Sequence, residues 1–163
     1  MRSTIEAHLG SRQVAKVIYG AIIGMALVVA LEEHPPRPGV MVATLVGTAV
    51  AVGLAELYSD WIGTETRERR HMQPGELRPI LAEAGAVAFG ISFPAVFFVL
   101  AAAGALEVET AFRLAKWSGV GLVAFYGFWA GRLAGDDLPA ALLKAAVVGL
   151  IGAALIALKA LVH

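Results

Sequence analysis

The sequence predicts an all-α membrane protein, a bundle of five transmembrane helices with a cytoplasmic N-terminus and an external C-terminus. The chain has 163 residues, of which 58% are hydrophobic and 16% are charged, and its mean hydropathy is +0.74. Soluble domains are only about 45–50% apolar. Because the charges sit in short clusters between long apolar runs, we expect one transmembrane domain over residues 1–163.

Five apolar runs account for most of the chain. Each contains about 18–27 residues, which as a helix crosses the roughly 30 Å hydrocarbon core, with tilt for the longer runs. Nothing alternates with a period of two residues, which excludes strands. Pro94 predicts a kink within the third run, and residues 64–79 form a connector after the second. The predicted spans are 14–31, 40–62, 80–106, 111–134 and 140–162.

Lysine and arginine residues set the predicted orientation. They cluster before the first span, after the second span and before the turn that follows the fourth. The residues concerned are Arg2, Arg12, Lys16, Arg67, Arg69, Arg70, Arg78 and Arg132. The positive-inside rule places these ends in the cytoplasm. We therefore expect the lipid bilayer as a partner, the inner membrane as the location in a bacterium, and no cleavable signal peptide.

Small residues recur at four-residue spacing on three predicted spans. Gly20 and Gly24 lie on the first span, and Gly127, Gly131 and Gly135 form a GxxxGxxxG ridge on the fourth. The stripe on the second span consists of Ala43, Gly47, Ala51 and Ala55. Such ridges let helix backbones approach closely in lipid. They predict packing within one chain, with dimerisation through the first-span ridge as the alternative.

The stretch GLAELYSDWIG, residues 53–63, brings two carboxylates into an apolar span. Glu56 and Asp60 are four positions apart and therefore share a helix face. The charged residues at similar depth on the other spans are Lys16, Glu83, Arg132 and Lys144. This layer has three positive and three negative charges, so it can close on itself as ion pairs. The couples that we expect are Glu56 with Lys144 and Asp60 with Arg132.

A metal or proton site is the alternative interpretation of these carboxylates. Divalent ions need several oxygen or nitrogen ligands, and Glu56 supplies one. The candidates for transport or ion pairing are thus Glu56, Asp60, Glu83 and Lys144, and Glu56 is also the candidate metal ligand among them.

Three segments make the chain resemble the vacuolar iron transporter family. VIYGAIIG at 17–24 is similar to that family's first-helix pattern, and VGLAELYSDWIGTETRER at 52–69 resembles its second-helix pattern. The last two spans, with AGRLAGDDLPAALLKAAVVGLIGAAL, are similar to its closing helix pair. The resemblance implies a five-helix homodimer that exchanges ferrous or manganous ions for protons. The ion would be a substrate, with no permanently bound cofactor.

The chain also departs from that family at positions important for transport. Ile23 stands where the family has a first-helix aspartate on the ion path, and Val52 stands where it has a methionine ligand. The acidic second-helix position carries over to Glu56. The long cytoplasmic metal-binding helices of the family are reduced to the connector at 64–79. The resemblance implies Glu68 and His71, at helical i, i+3 spacing, as the remaining metal candidates there, although the neighbouring arginines repel a cation. These departures weigh against high-affinity metal transport, while the resemblance weighs in its favour.

Two classes of function remain open. One is a proton-coupled transporter of divalent iron or manganese, with Glu56 on the path. The other is a non-transporting five-helix scaffold or interaction protein that has lost the ion path. An enzyme is not expected, since the chain has no paired-histidine motif, nucleophile elbow or phosphate loop. Cysteine is absent, which excludes disulfides and thiolate sites, and no nucleic-acid partner is expected.

Overall fold

The computed structural model describes residues 11–162, and the regular structure in that range is helical. A 3-10 turn at Pro74–Glu76 precedes the third helix. Arg2, which contributed to the predicted orientation, lies outside the described residues. The helices are α1 (Ser11–Leu31), α2 (Pro38–Glu68), α3 (Leu77–Ser92), α4 (Ala95–Ala102), α5 (Val108–Leu133) and α6 (Leu138–Val162).

Two of the helices are long and apolar enough to cross a membrane, over Gln13–Leu31 and Pro38–Glu68. A third crossing results if α3 and α4 are taken together, because both are apolar and they meet at a bend of 48°. A shorter apolar stretch follows at Leu138–Ala154. The all-α class is thereby confirmed, with two to three candidate membrane spans among the described residues.

The second helix is longer than the predicted second span. It runs from Pro38 to Glu68 and ends where Arg69 adopts a left-handed conformation, with φ 52° and ψ 34°. Pro38 at the first helical position suits the start, because its missing N–H would have no partner there. The predicted connector therefore begins inside α2, which carries Thr64 and Glu65 on a rigid helix rather than on a loop.

The predicted kink at Pro94 is present. Proline has no N–H, so the carbonyl of Gly90 loses its helical donor and the chain bends between α3 and α4. The helical segment stops at Ala102, four residues before the predicted end of the span, and Gly104 then adopts a positive φ of 76°. Glycine is favoured there because it has no Cβ to clash.

Two of the three predicted ridge glycines on α5 pack against α6. A Cβ atom placed on Gly127 would lie 3.2 Å from Cβ of Val148, and one on Gly131 would lie 3.0 Å from Cα of Ala141. Gly135 is different, because α5 ends at Leu133 and Gly135 takes φ 87° in the following turn, with no atom within 4 Å of its Cβ direction. The prediction that Gly135 packs between helices is therefore wrong.

Helices α1 and α3 cross in parallel with their backbones in close contact. A Cβ atom on Gly20 would lie 2.2 Å from the carbonyl oxygen of Val87, and one on Gly90 would lie 2.4 Å from that of Val17. Further along, Gly24 lies against Ile91 in the same way. The first-span ridge thus packs inside the chain, and α3 covers the surface that the dimer alternative required.

These reciprocal contacts belong to an internal repeat with an offset of 70 residues. Helix α2 begins at Pro38 and α5 at Val108, and the buried positions of α2 recur in α5. They are Met41, Leu45, Ala49 and Gly53, matched by Ala111, Ala115, Gly119 and Val123. Likewise, α2 packs on α3 while α5 packs on α1. The bundle therefore contains two similar helix pairs, α2 with α3 and α5 with α1. A pseudo-twofold axis between the parallel helices α1 and α3 relates these pairs, and α6 is not part of the repeat.

The largest apolar cluster lies at the end of the bundle where α1 finishes. Phe98 of α4 and Phe112 of α5 are fully buried there, with their rings edge to face and their centroids 4.9 Å apart. Val28, Met41 and their buried neighbours complete this cluster. The opposite end, where α1 begins and α2 finishes, carries charged side chains instead.

Candidate functional site

An ion cluster joins α1 and α2 at the charged end of the bundle. Lys16, in the second turn of α1, donates a hydrogen bond from Nζ to Oε2 of Glu56 on α2. The same ammonium lies 3.9 Å from Oδ2 of Asp60. The two carboxylates meet it together because their spacing of four residues puts them on one face of the helix. We call Lys16, Glu56 and Asp60 the ion cluster.

The cluster is shielded from solvent but not sealed. The side chains of Lys16 and Glu56 are 25% and 20% exposed, and that of Asp60 is 36% exposed. Partial burial makes the pairing matter, since a charge left alone in a low-dielectric layer is costly. Glu83 on α3 adds a further attraction for the ammonium. Lys16 is therefore the cation that the carboxylates of α2 face in this layer.

The predicted partners of the two carboxylates were wrong. Lys144 binds Asp136, with Nζ 2.6 Å from Oδ2, and Arg132 donates a hydrogen bond of 3.0 Å to the carbonyl oxygen of Asp136. Both cations therefore bind Asp136 in the turn between α5 and α6. The reason is helix order: α6 packs chiefly on α5, so equal depth in the membrane does not bring Lys144 next to α2.

A polar cleft lies beside the ion cluster, between α2 and α3. Its volume is about 240 Å³, and we call it the terminal cleft. Asp60 and Glu83 both line it, which brings two of the predicted candidates to one cavity. The full lining is Asp60, Thr64, Arg67, Glu68, Glu76, Pro79, Ile80 and Glu83. Carboxylates thus outnumber cations on its walls.

A second cavity lies on the other side of the ion cluster, against α1 and α2. Its volume is about 450 Å³, and it is lined by Tyr19, Ala51, Val52, Ala55, Glu56 and Ser59. We call it the lateral groove. Val52 lines this groove and, together with Ile23 on α1, packs against Val87 and its buried neighbours. The two positions where the resembled family has ligands therefore contribute to helix packing here.

The three candidate metal ligands do not come together. Glu56 is held by Lys16, while Glu68 pairs with Arg70. His71 is fully exposed and lies 3.4 Å from Glu65, not beside Glu68. The predicted helical spacing of Glu68 and His71 fails because α2 ends at Glu68 and Arg69 reverses the chain. Within residues 11–162 the structure places no group of three His, Asp or Glu side chains suited to a metal ion.

The connector after α2 is organised by Glu76. Its carboxylate accepts hydrogen bonds from Arg70 at 3.1 Å and from the backbone N–H of Gln73 at 2.8 Å. These two donors, the guanidinium first, lower the pKa of Glu76 to about 2. In return, the hydrogen bond from Arg70 to Glu76 raises the pKa of the guanidinium. Arg70 is thereby engaged in the turn.

A second interhelical ion pair was not predicted. Lys116 of α5 donates a hydrogen bond of 2.6 Å to Oε1 of Glu32, which follows α1. Their side chains are 17% and 32% exposed. The sequence did contain an indication of this pair, because Glu32 and Lys116 lie at span ends on the same predicted side of the membrane. Lys16 and Glu56 lie near span ends on the opposite side. Helix α1 is thus tied near each of its ends.

Comparison with protein-family models, with curated proteins and with solved structures finds no match to this chain.

Proposed function

We propose that this chain is a five-span integral membrane protein that acts as a membrane scaffold or interaction component, with an ion cluster that is structural. The observation that carries the proposal is the bond between Lys16 and Glu56. A tethered ammonium bound to this carboxylate would have to be displaced before a divalent ion could bind there, and its positive charge repels that ion. Ile23 and Val52, packed into the helix interface, support the same conclusion.

The topology in this proposal has a cytoplasmic N-terminus and an external C-terminus. It is supported by the arginines of the connector, by the parallel course of α1 and α3, and by the apolar character of α6 over Leu138–Ala154. A reporter fused after Arg70 should be active in the cytoplasm, and one fused after His163 only outside. A C-terminal reporter active only in the cytoplasm would mean an even number of spans.

The second candidate is proton-coupled transport of ferrous or manganous ions, as the resemblance to vacuolar iron transporters implies. The terminal cleft favours it, because carboxylates predominate on its walls and Asp60 links it to the ion cluster. In that case Lys16 would have to leave Glu56 during each cycle. The test is metal flux in sealed proteoliposomes, measured with a Mn²⁺-sensitive dye and a pH-sensitive dye.

The two candidates predict opposite results in that assay. For a scaffold, Mn²⁺ or Fe²⁺ gradients should drive no more proton movement than in protein-free liposomes. Flux that disappears in a well-folded Glu56→Gln variant would replace the scaffold proposal with the transporter. A matched control is Glu109→Gln, because Glu109 makes an exposed pair with Arg113 in α5 and should leave any flux unchanged.

The homodimer implied by the resemblance would need a contact other than Gly20 and Gly24, since α3 covers both. Among the described residues, the small stripe of α2 faces outward, and Gly47 has no atom within 4 Å of its Cβ direction. A dimer would therefore pack through this stripe. Light scattering in mild detergent tests it: Gly47→Leu should convert a dimer into monomers, whereas a monomeric natural chain removes the dimer from the proposal.

A further inference from the structure

A further cavity, of about 280 Å³, lies at the end of α2 and is lined by Glu65, Arg69, Arg70 and His71. We call it the basic pocket, because its walls carry two arginines and a single carboxylate. It shares no lining residue with the terminal cleft, where carboxylates predominate. The charges at this end of the bundle are therefore divided between two cavities of different character.

Most charged groups of the basic pocket already have partners. The carboxylate of Glu65 accepts a hydrogen bond of 3.0 Å from the backbone N–H of Met72, and Nδ1 of His71 lies 3.4 Å from it. Arg70 is paired with two carboxylates that line the terminal cleft. Arg69 differs, since among the described residues its guanidinium has neither an ion pair nor a hydrogen bond. One positive charge in the pocket is thus available for a ligand.

With α2 as a membrane span, the basic pocket lies at the level of the lipid headgroups. Tyr58 and Trp61 are 64% and 42% exposed on α2, and such aromatic side chains sit at membrane–water interfaces. Glu65 follows Trp61 by four residues, so the two share a helix face, and Glu65 lines the pocket. The pocket therefore lies about one helical turn beyond the aromatic side chains, toward the charged end.

We propose that the basic pocket binds the headgroup of an anionic phospholipid, with Arg69 paired to its phosphate. A guanidinium matches a phosphate in charge and in hydrogen-bonding geometry. A zwitterionic lipid brings its own ammonium group, which the arginines repel. This inference rests on the membrane placement in the proposed function and names one partner of the scaffold.

Quenching of Trp61 by brominated lipids measures this contact. The chain has three tryptophans, so Trp117→Phe and Trp129→Phe are introduced to leave Trp61 as the reporter. The indole N–H of Trp129 has no hydrogen-bond partner among the described residues, and its replacement loses none. The full-length chain is placed in vesicles of phosphatidylcholine and phosphatidylglycerol, in which either lipid carries bromine near the headgroup end of its acyl chains.

We expect brominated phosphatidylglycerol to quench Trp61 as a lipid bound about fivefold more tightly than phosphatidylcholine, the usual contribution of one interfacial arginine. Arg69→Gln should abolish this preference, and Arg69→Lys should retain most of it because the charge is kept. Arg37→Gln is the matched control, since Arg37 is exposed at the opposite end of α2 and should leave the preference unchanged. Inorganic phosphate at constant ionic strength should not compete, because it lacks the acyl chains that hold the lipid there.

The proposal is overturned if both brominated lipids quench Trp61 equally when Arg69 is present. It is also overturned if Arg69→Gln keeps the preference in a chain with the same melting temperature. Full displacement by inorganic phosphate would refute it as well, since a soluble anion would then be the ligand. A Trp61 that neither brominated lipid quenches would refute the membrane placement of α2 itself, which distinguishes failure of the proposed function from failure of the lipid site.

Discussion

The two halves of the bundle share a backbone arrangement but not their charges. Over residues 14–63, only Val17, Gly20, Val29 and Val50 are identical to the residues 70 positions later, yet the buried positions of the helices correspond. By contrast, the ion cluster of the first half has apolar or aromatic counterparts in the second. Helix packing therefore needs only small and apolar residues at the crossings, and the ion cluster is an addition specific to the first half.

The halves also differ four residues after the contact of Gly20 and Gly90, at which α1 and α3 cross; we call this contact the shared crossing. Gly24 of α1 corresponds to Pro94, where α3 gives way to α4. A Cβ atom on Gly24 would lie 2.8 Å from the carbonyl oxygen of Ile91 and 3.3 Å from that of Gly90. Gly90 is the residue whose carbonyl loses its donor to Pro94. The glycine of one half thus lets its helix approach the carbonyls at the bend in the other.

The largest expected effect comes from breaking the shared crossing. Gly20→Leu should destabilise the fold by about 3 kcal/mol or more, since the added side chain meets backbone atoms that cannot move aside. The reciprocal change Gly90→Leu should cost a similar amount if the two halves are equivalent there. Gly121→Leu, in open space on α5, should shift stability by less than about 0.5 kcal/mol. Thermal unfolding in detergent measures all three, and a mild Gly20→Leu would contradict the close crossing.

The ion cluster should give the next effect, and only in the first half. Glu56→Gln leaves Lys16 with Asp60 as its remaining close partner and should cost about 2 kcal/mol, below the value for a fully buried pair. Adding Lys16→Met should restore much of that loss, because the two changes are coupled. Lys144→Met should show no coupling to Glu56→Gln. Coupling to Lys144 instead of Lys16 in the double-mutant cycles would contradict the observed pairing.

The pair at the opposite end should matter less. Glu32→Gln breaks the bond to Lys116 that ties α1 to α5, and about 1 kcal/mol is expected for this partly exposed pair. The exposed pair of Arg113 and Glu109 is the matched comparison, and Glu109→Gln should not change the melting temperature measurably. Equal losses at the two pairs would show that burial does not set their contributions.

The smallest effect is local and depends on pH. The pKa of Glu76 falls from 4.5 to about 2 in the fold, so its stabilisation of the connector is complete above pH 4.5 and is lost as the pH drops through 2. The protection factor of the Gln73 amide against hydrogen exchange should fall over that interval, while global unfolding stays unaffected. In Arg70→Gln the loss of protection should begin at higher pH, and an unchanged midpoint would exclude Arg70 as the main cause.

Much of the architecture followed from the sequence, because the long apolar runs that predict membrane spans can satisfy their backbone polar groups only as helices. The run lengths predicted the helices, Pro94 predicted the bend, and the glycines predicted where backbones approach. The internal repeat with its offset of 70 residues was not predicted, because the two halves share buried positions and few identical residues. The prediction for Gly135 was wrong because the four-residue spacing of glycines continues in the sequence beyond Leu133, where α5 ends.

The sequence by itself determined that Glu56 and Asp60 share a helix face in an apolar span and that the charges at their depth balance. Only the tertiary structure decided which cation pairs with the two carboxylates. Depth along a helix follows from the position of a residue in its span, but the neighbour of a side chain depends on which helices pack together. The parallel crossing of α1 and α3 brings Lys16 to Glu56, and the packing of α6 on α5 holds Lys144 away.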